Sequence, residues 1–489
     1  MQPALSEAIL SPLSDLLAAR IGLYFPKERW PDLDRGMAAA AHEFGQTDAE
    51  ACARWLLSAP LTHHQIEILA SHLTVGETYF FREQRSFEAL EQYIFPELLR
   101  AREHTQRRLR IWSAGCCTGE EPYSIAMLLD RLIPHPREWS TMILATDINP
   151  AFLRKAAQGV YGDWSFRDTP AWLQARYFKS KKNARFEIQS RIRKCVTFSY
   201  LNLADDVYPS LTNNTNAMDV IFCRNVLMYF TAQRARKVIE NLHRSLVDGG
   251  WLIVSPTETS TSLFSAFTAV EFPGVVLYRK PPGAASRMVV AAYPASVLVA
   301  PPEDLKPPQP AIFPGPVVAQ VTGAVPTYAP ASESGRPAVQ PGEALASNQD
   351  DPRAAPALMA RACANQGQLT EAIAWCEQAI VADKLNPAHH YLLATILQEQ
   401  GQGDAAVWSL LRVLYLDPDF VLAHFTLGNL RLSQGRRREA QRHFDNALAL
   451  LHAHPHAEPL PESEGLTAGR LTEIITSVRA SLPHAVVGT

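Results

Sequence analysis

At 489 residues the chain is too long for one hydrophobic core, and its composition is that of an ordinary soluble protein, so two to four domains are expected. With 46 basic against 49 acidic residues the net charge is -3, which gives no global attraction to nucleic acid or to an acidic membrane surface. The seven cysteines are scattered without paired CxxC spacing, no run approaches the ~20 apolar residues of a membrane span, and the amino terminus lacks a basic region before an apolar core; reduced thiols, no metal site and a cytoplasmic protein that is not membrane-inserted are expected.

Residues 1 to about 90 read as a small helical domain. Ile9, Leu13, Leu16 and Leu17 form one apolar stripe, and Ala51 to Leu57 and Ile66 to Leu73 suggest further helices, separated by Pro60 and a turn at Gly45. Thr78 and Arg82 follow, four residues apart; a helical segment here would turn both to one side.

From about 91 to 281 the pattern is that of a doubly wound α/β domain, with strands ending near Trp112, Thr146, Phe198, Cys223 and Val254 alternating with helical stretches. Its centre is Arg110-Ile-Trp-Ser-Ala-Gly-Cys-Cys-Thr-Gly-Glu-Glu-Pro-Tyr-Ser-Ile-Ala-Met-Leu-Leu129. This stretch reads as strand, tight loop and helix: Gly115 and Gly119 free the backbone, and Pro122 sits where a first helical turn tolerates a missing N–H. Such a loop aims backbone amides and a helix N-terminus at a ligand on the carboxyl edge of a parallel sheet. Met142-Ile-Leu-Ala-Thr-Asp147 adds a second apolar strand ending in an acid, at the distance where nucleotide-type folds place a carboxylate for ribose hydroxyls. Together they suggest a ligand containing adenosine. The adjacent Cys116 and Cys117 are either small residues filling the loop or a redox switch.

Between Gly159 and Asn202 lies an insertion carrying Lys179, Lys181, Lys182, Arg185, Arg191, Arg193 and Lys194. Phe186 and Ile188, then Val196, Phe198 and Tyr200, alternate as paired antiparallel strands do. By itself it reads as a solvated hairpin with lysines guarding an edge. Residues 282–350 are rich in proline, poor in charge and without periodicity, which predicts a disordered, semi-extended linker.

Residues 353–454 repeat with a 34-residue period. Blocks starting at Arg353, Pro387 and Val421 align Gly367 with Gly401 and Gly435, and Ala372 with Ala406 and Ala440. Met359, Leu393 and Leu427 share a column, as do Cys376, Leu410 and Phe444, and Ala379, Val413 and Ala447. Small residues where helices cross and glycine at the turn describe tetratricopeptide repeats, with Leu466–Leu482 as an amphipathic capping helix. Residues 351–489 are therefore expected to form an α-solenoid with a concave face for a peptide or partner helix.

Four ordered segments resemble one family: Leu73-Thr-Val-Gly-Glu-Thr-Tyr-Phe-Phe-Arg-Glu83, SAGCCTGEEPYSIAMLL, Ala145-Thr-Asp-Ile148 and Val220-Ile-Phe-Cys-Arg-Asn-Val-Leu-Met-Tyr-Phe230. They are similar to the motifs of the chemotaxis protein methyltransferases (the CheR family), and the repeats resemble those of its Wsp-type branch. The resemblance implies S-adenosyl-L-methionine as cofactor, S-adenosyl-L-homocysteine as product, and glutamate side chains of a methyl-accepting chemoreceptor's cytoplasmic domain as substrate. It implies cofactor contacts from Thr78, Arg82, Glu121, Asp147, Asn202, Leu203, Arg224 and Asn225, with Glu120 the less favoured of the adjacent acids. Arg82 and Tyr229 are the implied catalytic residues. Gly76 stands where the family commonly has asparagine. The family's arginine-dense docking helix corresponds here to Asp34–Gly45, which carries few positive charges, so a different receptor surface is expected. The basic insertion matches a small antiparallel sheet that can pair with a receptor tail, and the repeats leave room for a further protein partner. Two rivals stand beside this reading: a methyltransferase for a small-molecule carboxylate, and a non-catalytic cofactor-binding scaffold.

Overall fold

A computed structural model describes residues 5–104, 107–282, 355–456, 458–463 and 466–480. The expected linker falls almost wholly outside these residues, as do the first two residues of the first repeat block and Leu482. No helix among the described residues is long and apolar enough to cross a membrane.

Helices Glu7–Arg20, Trp30–Glu43, Ala49–Leu57 and His63–Leu73 build the amino-terminal layer around Leu10, Leu13, Leu17, Leu33, Met37 and Leu69. The helix Trp30–Glu43 follows from Pro31 near its start and the apolar spacing Leu33, Met37, Ala40 and Ala41 on its buried side. The segment 76–83 is a loop, not a helix, which corrects the assumption made for Thr78 and Arg82.

Ten strands follow among the described residues: β1 Arg108–Ala114, β2 Ser140–Asp147, β3 Val160–Gly162, β4 Phe178–Lys181, β5 Arg185–Ile188, β6 Val196–Tyr200, β7 Met218–Phe222, β8 Leu246–Ile253, β9 Thr268–Phe272 and β10 Val275–Arg279. The main sheet has the order β6-β2-β1-β7-β8-β10-β9. Its first five strands are parallel, and β10 and β9 close one edge as an antiparallel hairpin. Strand β1 lies near the middle and is buried along its whole length, as expected of a strand covered by helices on both faces. The small sheet β3-β5-β4 is antiparallel, and Phe186 and Ile188 lie in it. Val196, Phe198 and Tyr200 do not; they form β6, parallel to β2, so the insertion's strands end at Ile188.

The carboxyl-terminal array contains helix pairs 355–365 with 369–382, 387–399 with 403–416, and 421–433 with 437–451, then the helix Ala468–Ala480. Gly367, Gly401 and Gly435 adopt φ of 77°, 83° and 76°, the left-handed turn that glycine supplies without strain. The columns Ala372/Ala406/Ala440 and Cys376/Leu410/Phe444 are fully buried. The Met359 column is not uniform, because Met359 is exposed while Leu427 is buried. One position on, Ala360, Ala394 and Gly428 form the close-crossing column; a Cβ at Gly428 would lie 2.4 Å from Phe444.

This array does not hang free on a tether. Gly367 abuts Val247 and Ala217, and Leu211 packs into the cluster of the first helix pair. Glu399, at the end of helix 387–399, is 4% exposed and receives Arg108 at 3.0 Å, Arg110 at 3.4 Å and Asn216 Nδ2 at 3.0 Å. The face formed by the first helices of the pairs, expected to be open to a partner, is thus turned toward the amino ends of β1 and β2: Tyr391, Thr395 and Phe425 share a cavity with Arg108, Arg110 and Met142.

Candidate active site

At the opposite, carboxyl end of β1 a cleft of about 500 Å³ opens between the sheet and the amino-terminal helices. All nine residues expected from the sequence, Thr78, Arg82, Glu121, Asp147, Asn202, Leu203, Arg224, Asn225 and Tyr229, line it.

The floor is the turn after β1. Gly115 and Cys116 donate backbone N–H groups to Thr146 O at 2.8 and 2.9 Å, pinning the turn to β2. Gly115 has φ +84°, and a Cβ there would come 2.4 Å from Val226. Gly119 (φ +94°) then starts the helix Glu120–Leu132, so its N-terminus faces the cleft region. Both cysteine thiols are held protonated by burial, that of Cys117 pushed up to about 12, which suits loop filling and not thiolate chemistry.

Asp147 closes β2. Its Oδ2 accepts from Cys117 N at 2.8 Å and its Oδ1 from Asn149 N at 2.9 Å, leaving the remaining lone pairs for a ligand hydroxyl. Burial lifts its pKa to about 6 despite those amides, so the carboxylate is ionised at neutral pH.

Arg224 is the hub that sequence reasoning described too simply. Its guanidinium is 2% exposed and bridges Glu83 at 2.9 Å and Glu121 at 3.1 Å, while also donating to Arg82 O. Glu121 is further held by Ser113 Oγ at 2.7 Å, and burial raises its pKa, opposed by Arg224. Glu120 points away into the interior, taking hydrogen bonds from Thr118 and Ser165. Two acids were missed. Glu83 ties Arg224 to Ser255, and buried Glu258 accepts from the backbone of Asn225 at 2.7 Å and Met228 at 3.2 Å, fixing the loop that bears Asn225 and Tyr229. Asn225 has φ +56° and donates its amide to Ser255 Oγ at 3.0 Å, a strained position held by its surroundings.

Asn202 spends both amide N–H groups on the protein, to Arg20 O at 2.9 Å and Asp205 at 3.0 Å, so it secures the helical layer and offers the cleft only residual acceptor capacity. Leu203 gives an apolar wall, its carbonyl taken by Tyr208. Arg82 donates to Glu77 O at 2.7 Å; the acids that could have drawn it to the surface are engaged elsewhere, Glu88 by Arg85 and Glu97 by Arg279. At Gly76 a Cβ would come 2.7 Å from the tip of the Phe152 ring, so an asparagine there requires that ring to move.

The helical layer supplies the roof. Ile21 and Leu23 line the cleft, Tyr24 N donates to Tyr229 O at 2.8 Å, and Gly22 allows Phe230 to lie against the backbone. Tyr229 is therefore both a wall of the cleft and a packing residue; burial raises its pKa, so the phenol keeps its proton.

Among its charged walls the cleft counts three carboxylates, Glu77, Glu121 and Asp147, against two guanidiniums, Arg82 and Arg224. It is thus suited to a ligand with an excess of positive charge. The CheR methyltransferase SAM-binding domain family matches residues 76–275. Chemotaxis protein methyltransferase 1 of Pseudomonas aeruginosa is 35% identical over 218 residues, 44% of this chain and 77% of that protein. The chain belongs to the chemotaxis protein methyltransferase family. Another relative, the chemotaxis protein methyltransferase of Borreliella burgdorferi, is 34% identical over 40% of this chain and 68% of its own length. The probable biofilm formation methyltransferase WspC of Pseudomonas aeruginosa is 31% identical over 392 residues, 77% of this chain and 84% of that protein, so the similarity reaches past the cofactor domain into the array. This methyltransferase uses S-adenosylmethionine, and its cleft fits the sulfonium and ammonium charges of that cofactor. No group of three metal-ligating side chains occurs among the described residues.

Proposed function

We propose that the protein esterifies glutamate side chains on the cytoplasmic domain of a methyl-accepting chemoreceptor. The observation that carries this is the pairing of a cationic and a phenolic side chain, Arg82 and Tyr229, on a cleft whose other walls suit the cofactor. S-adenosylmethionine, when bound, would supply an electrophilic methyl group for a carboxylate oxygen, the carbon–sulfur bond being exchanged for the ester's carbon–oxygen bond with S-adenosylhomocysteine as the leaving product. Because glutamate is already ionised near pH 7, no general base is needed, and alignment with exclusion of water carries the rate. Arg82 draws in the acceptor carboxylate, and Tyr229, protonated, donates a hydrogen bond that orients it. Asp147 would hold the cofactor's ribose hydroxyls with the lone pairs that Cys117 N and Asn149 N leave open. Thr78, Glu121, Asn202, Leu203, Arg224 and Asn225 shape the rest of the cofactor's seat, Glu121 and Arg224 acting largely through each other.

Basic side chains of the small sheet, exposed Lys179 and half-exposed Lys181 among them, favour an acidic protein acceptor over a small-molecule carboxylate. The relative bearing biofilm formation in its name supports a surface-sensing output. The test is labelling candidate receptor domains with methyl-tritiated cofactor: the label should leave as volatile methanol in mild alkali. Label that survives alkali would mean N-methylation and would end the glutamate reading.

A further inference from the structure

The loop carrying Thr78 and Arg82 has no secondary structure of its own, so something must aim it. That support comes from residues 163–169, at the root of the small sheet. Phe80 N donates to Ser165 O at 2.9 Å, Thr169 Oγ1 to Phe80 O at 3.3 Å, and the Phe80 ring stacks on Phe166 at 4.9 Å. Arg167 reaches furthest. Its guanidinium lies 3.8 Å from the centre of the Tyr79 ring and 4.4 Å from that of Trp164, it forms an ion pair with Glu77, and it donates to Trp164 O at 2.9 Å. Glu77 in turn gives its carbonyl to Arg82 Nη1, and Arg82 sits 5.9 Å from the Tyr79 ring. The carbonyl that Arg82 bonds and the ring beside its guanidinium are thus both on residues held by Arg167. Arg167 itself does not line the cleft.

We propose that Arg167 is a positioning residue for Arg82: by clamping Glu77 through charge and Tyr79 through stacking, it fixes the direction in which the Arg82 guanidinium meets the acceptor. The inference rests on the reading that Arg82 steers the acceptor carboxylate. A planar guanidinium suits this place, because one flat group can stack on two rings and still bond in its own plane to a carboxylate and a carbonyl. Its position beside the small sheet gives that subdomain a role in the reaction apart from gripping any acceptor.

The test is a double-mutant cycle on the full chain with Arg167→Ala, Arg82→Ala and both together. Arg167→Ala should lower kcat about tenfold or more, since small misplacement of an orienting group costs this much, with the cofactor Kd held within twofold. In the Arg82→Ala background it should have little further effect. Two losses that multiply would overturn the proposal. A second measurement needs no acceptor: modification of Arg82 by phenylglyoxal, mapped by peptide mass spectrometry, should quicken severalfold in Arg167→Ala. An unchanged rate would refute the clamp whatever the substrate proves to be. Failure of the glutamate reading shows separately, as wild-type protein that forms no alkali-labile product.

Discussion

Glu399→Ala is the sharpest probe of how the two halves of the chain hold together. The carboxylate is 4% exposed and compensates two guanidiniums that are 11% and 5% exposed, Arg108 and Arg110. Burial pushes the Arg110 pKa down, and Glu399 opposes that shift. Asp219 does not replace it, being committed to Arg102 and to the backbone N–H of Arg110. Breaking a buried pair by removing one partner costs about 3 to 5 kcal/mol, because a charge is left without compensation. The protein can escape that cost by separating the array from the sheet, which rehydrates both arginines, so the loss should appear as undocking rather than global unfolding. At 1.36 kcal/mol per decade, a ~3 kcal/mol loss raises the population of the separated state by about 100-fold. Hydrogen exchange reads this directly, in the amides of helix 387–399 and the amino end of β1. The cofactor Kd by calorimetry should stay within about twofold, because Arg108 and Gly115 lie at opposite ends of β1, seven residues apart, ~23 Å at 3.3 Å each. Unchanged exchange would show that the ion cluster contributes nothing net to docking. A large rise in Kd would show that the array and the cleft are coupled through β1.

Asp147→Ala should weaken cofactor binding by ~1.5 to 3 kcal/mol, the range for a hydrogen bond to a charged group. With the Asp147 pKa raised to about 6, wild-type affinity should be level above that value and fall as pH drops through it, as the acceptor carboxylate is protonated; Asp147→Asn should flatten that profile. Tyr229→Phe should lower turnover with cofactor affinity nearly intact, and calorimetry showing the reverse would overturn the role given to the phenol. Gly428→Ala should cost about 1 to 3 kcal/mol, because its Cβ would meet Phe444 at 2.4 Å in a close helix crossing; an unchanged melting temperature of the array would refute the packing argument.

Periodicity and turn chemistry made most of the secondary structure legible. The 34-residue columns anticipated helix pairs because a glycine at each turn and small residues at each crossing are local requirements, met within one repeat. Asp147, Asn202, Leu203, Arg224, Asn225 and Tyr229 were legible because they sit at the ends of strands and in the loops that follow, where topology brings them together, whereas Thr78 and Arg82, in a loop ahead of β1, were legible through the family motif. What escaped depended on partners far away in sequence. Nothing near Glu258 marks it as the cap for Asn225 and Met228, 33 and 30 residues upstream. Nothing near Glu83 marks it as the partner of Arg224, and alternation alone could not say whether Val196, Phe198 and Tyr200 joined the small sheet or the large one.

The same distinction governs the docking of the array. Arg108 and Arg110 read locally as ordinary residues at the start of a strand, where charge is usually solvated. Alternation in β1 should send residues 108 and 110 to one face and 109 and 111 to the other, so two like charges share a side. Two guanidiniums on one face of a central, fully buried strand are tolerable only if something covers and neutralises them. Asp219, bound to Arg102 and to the backbone N–H of Arg110, pairs with neither guanidinium directly, and the demand is met by a carboxylate 291 residues further along the chain from Arg108. The end of β1 that faces the cofactor is fixed by turns and glycines written next to it, whereas the other end is completed by the array. Changes of sequence in the array's first helices should therefore register first at Arg108 and Arg110, and reach Gly115 and the cleft only through the rigidity of the strand between them.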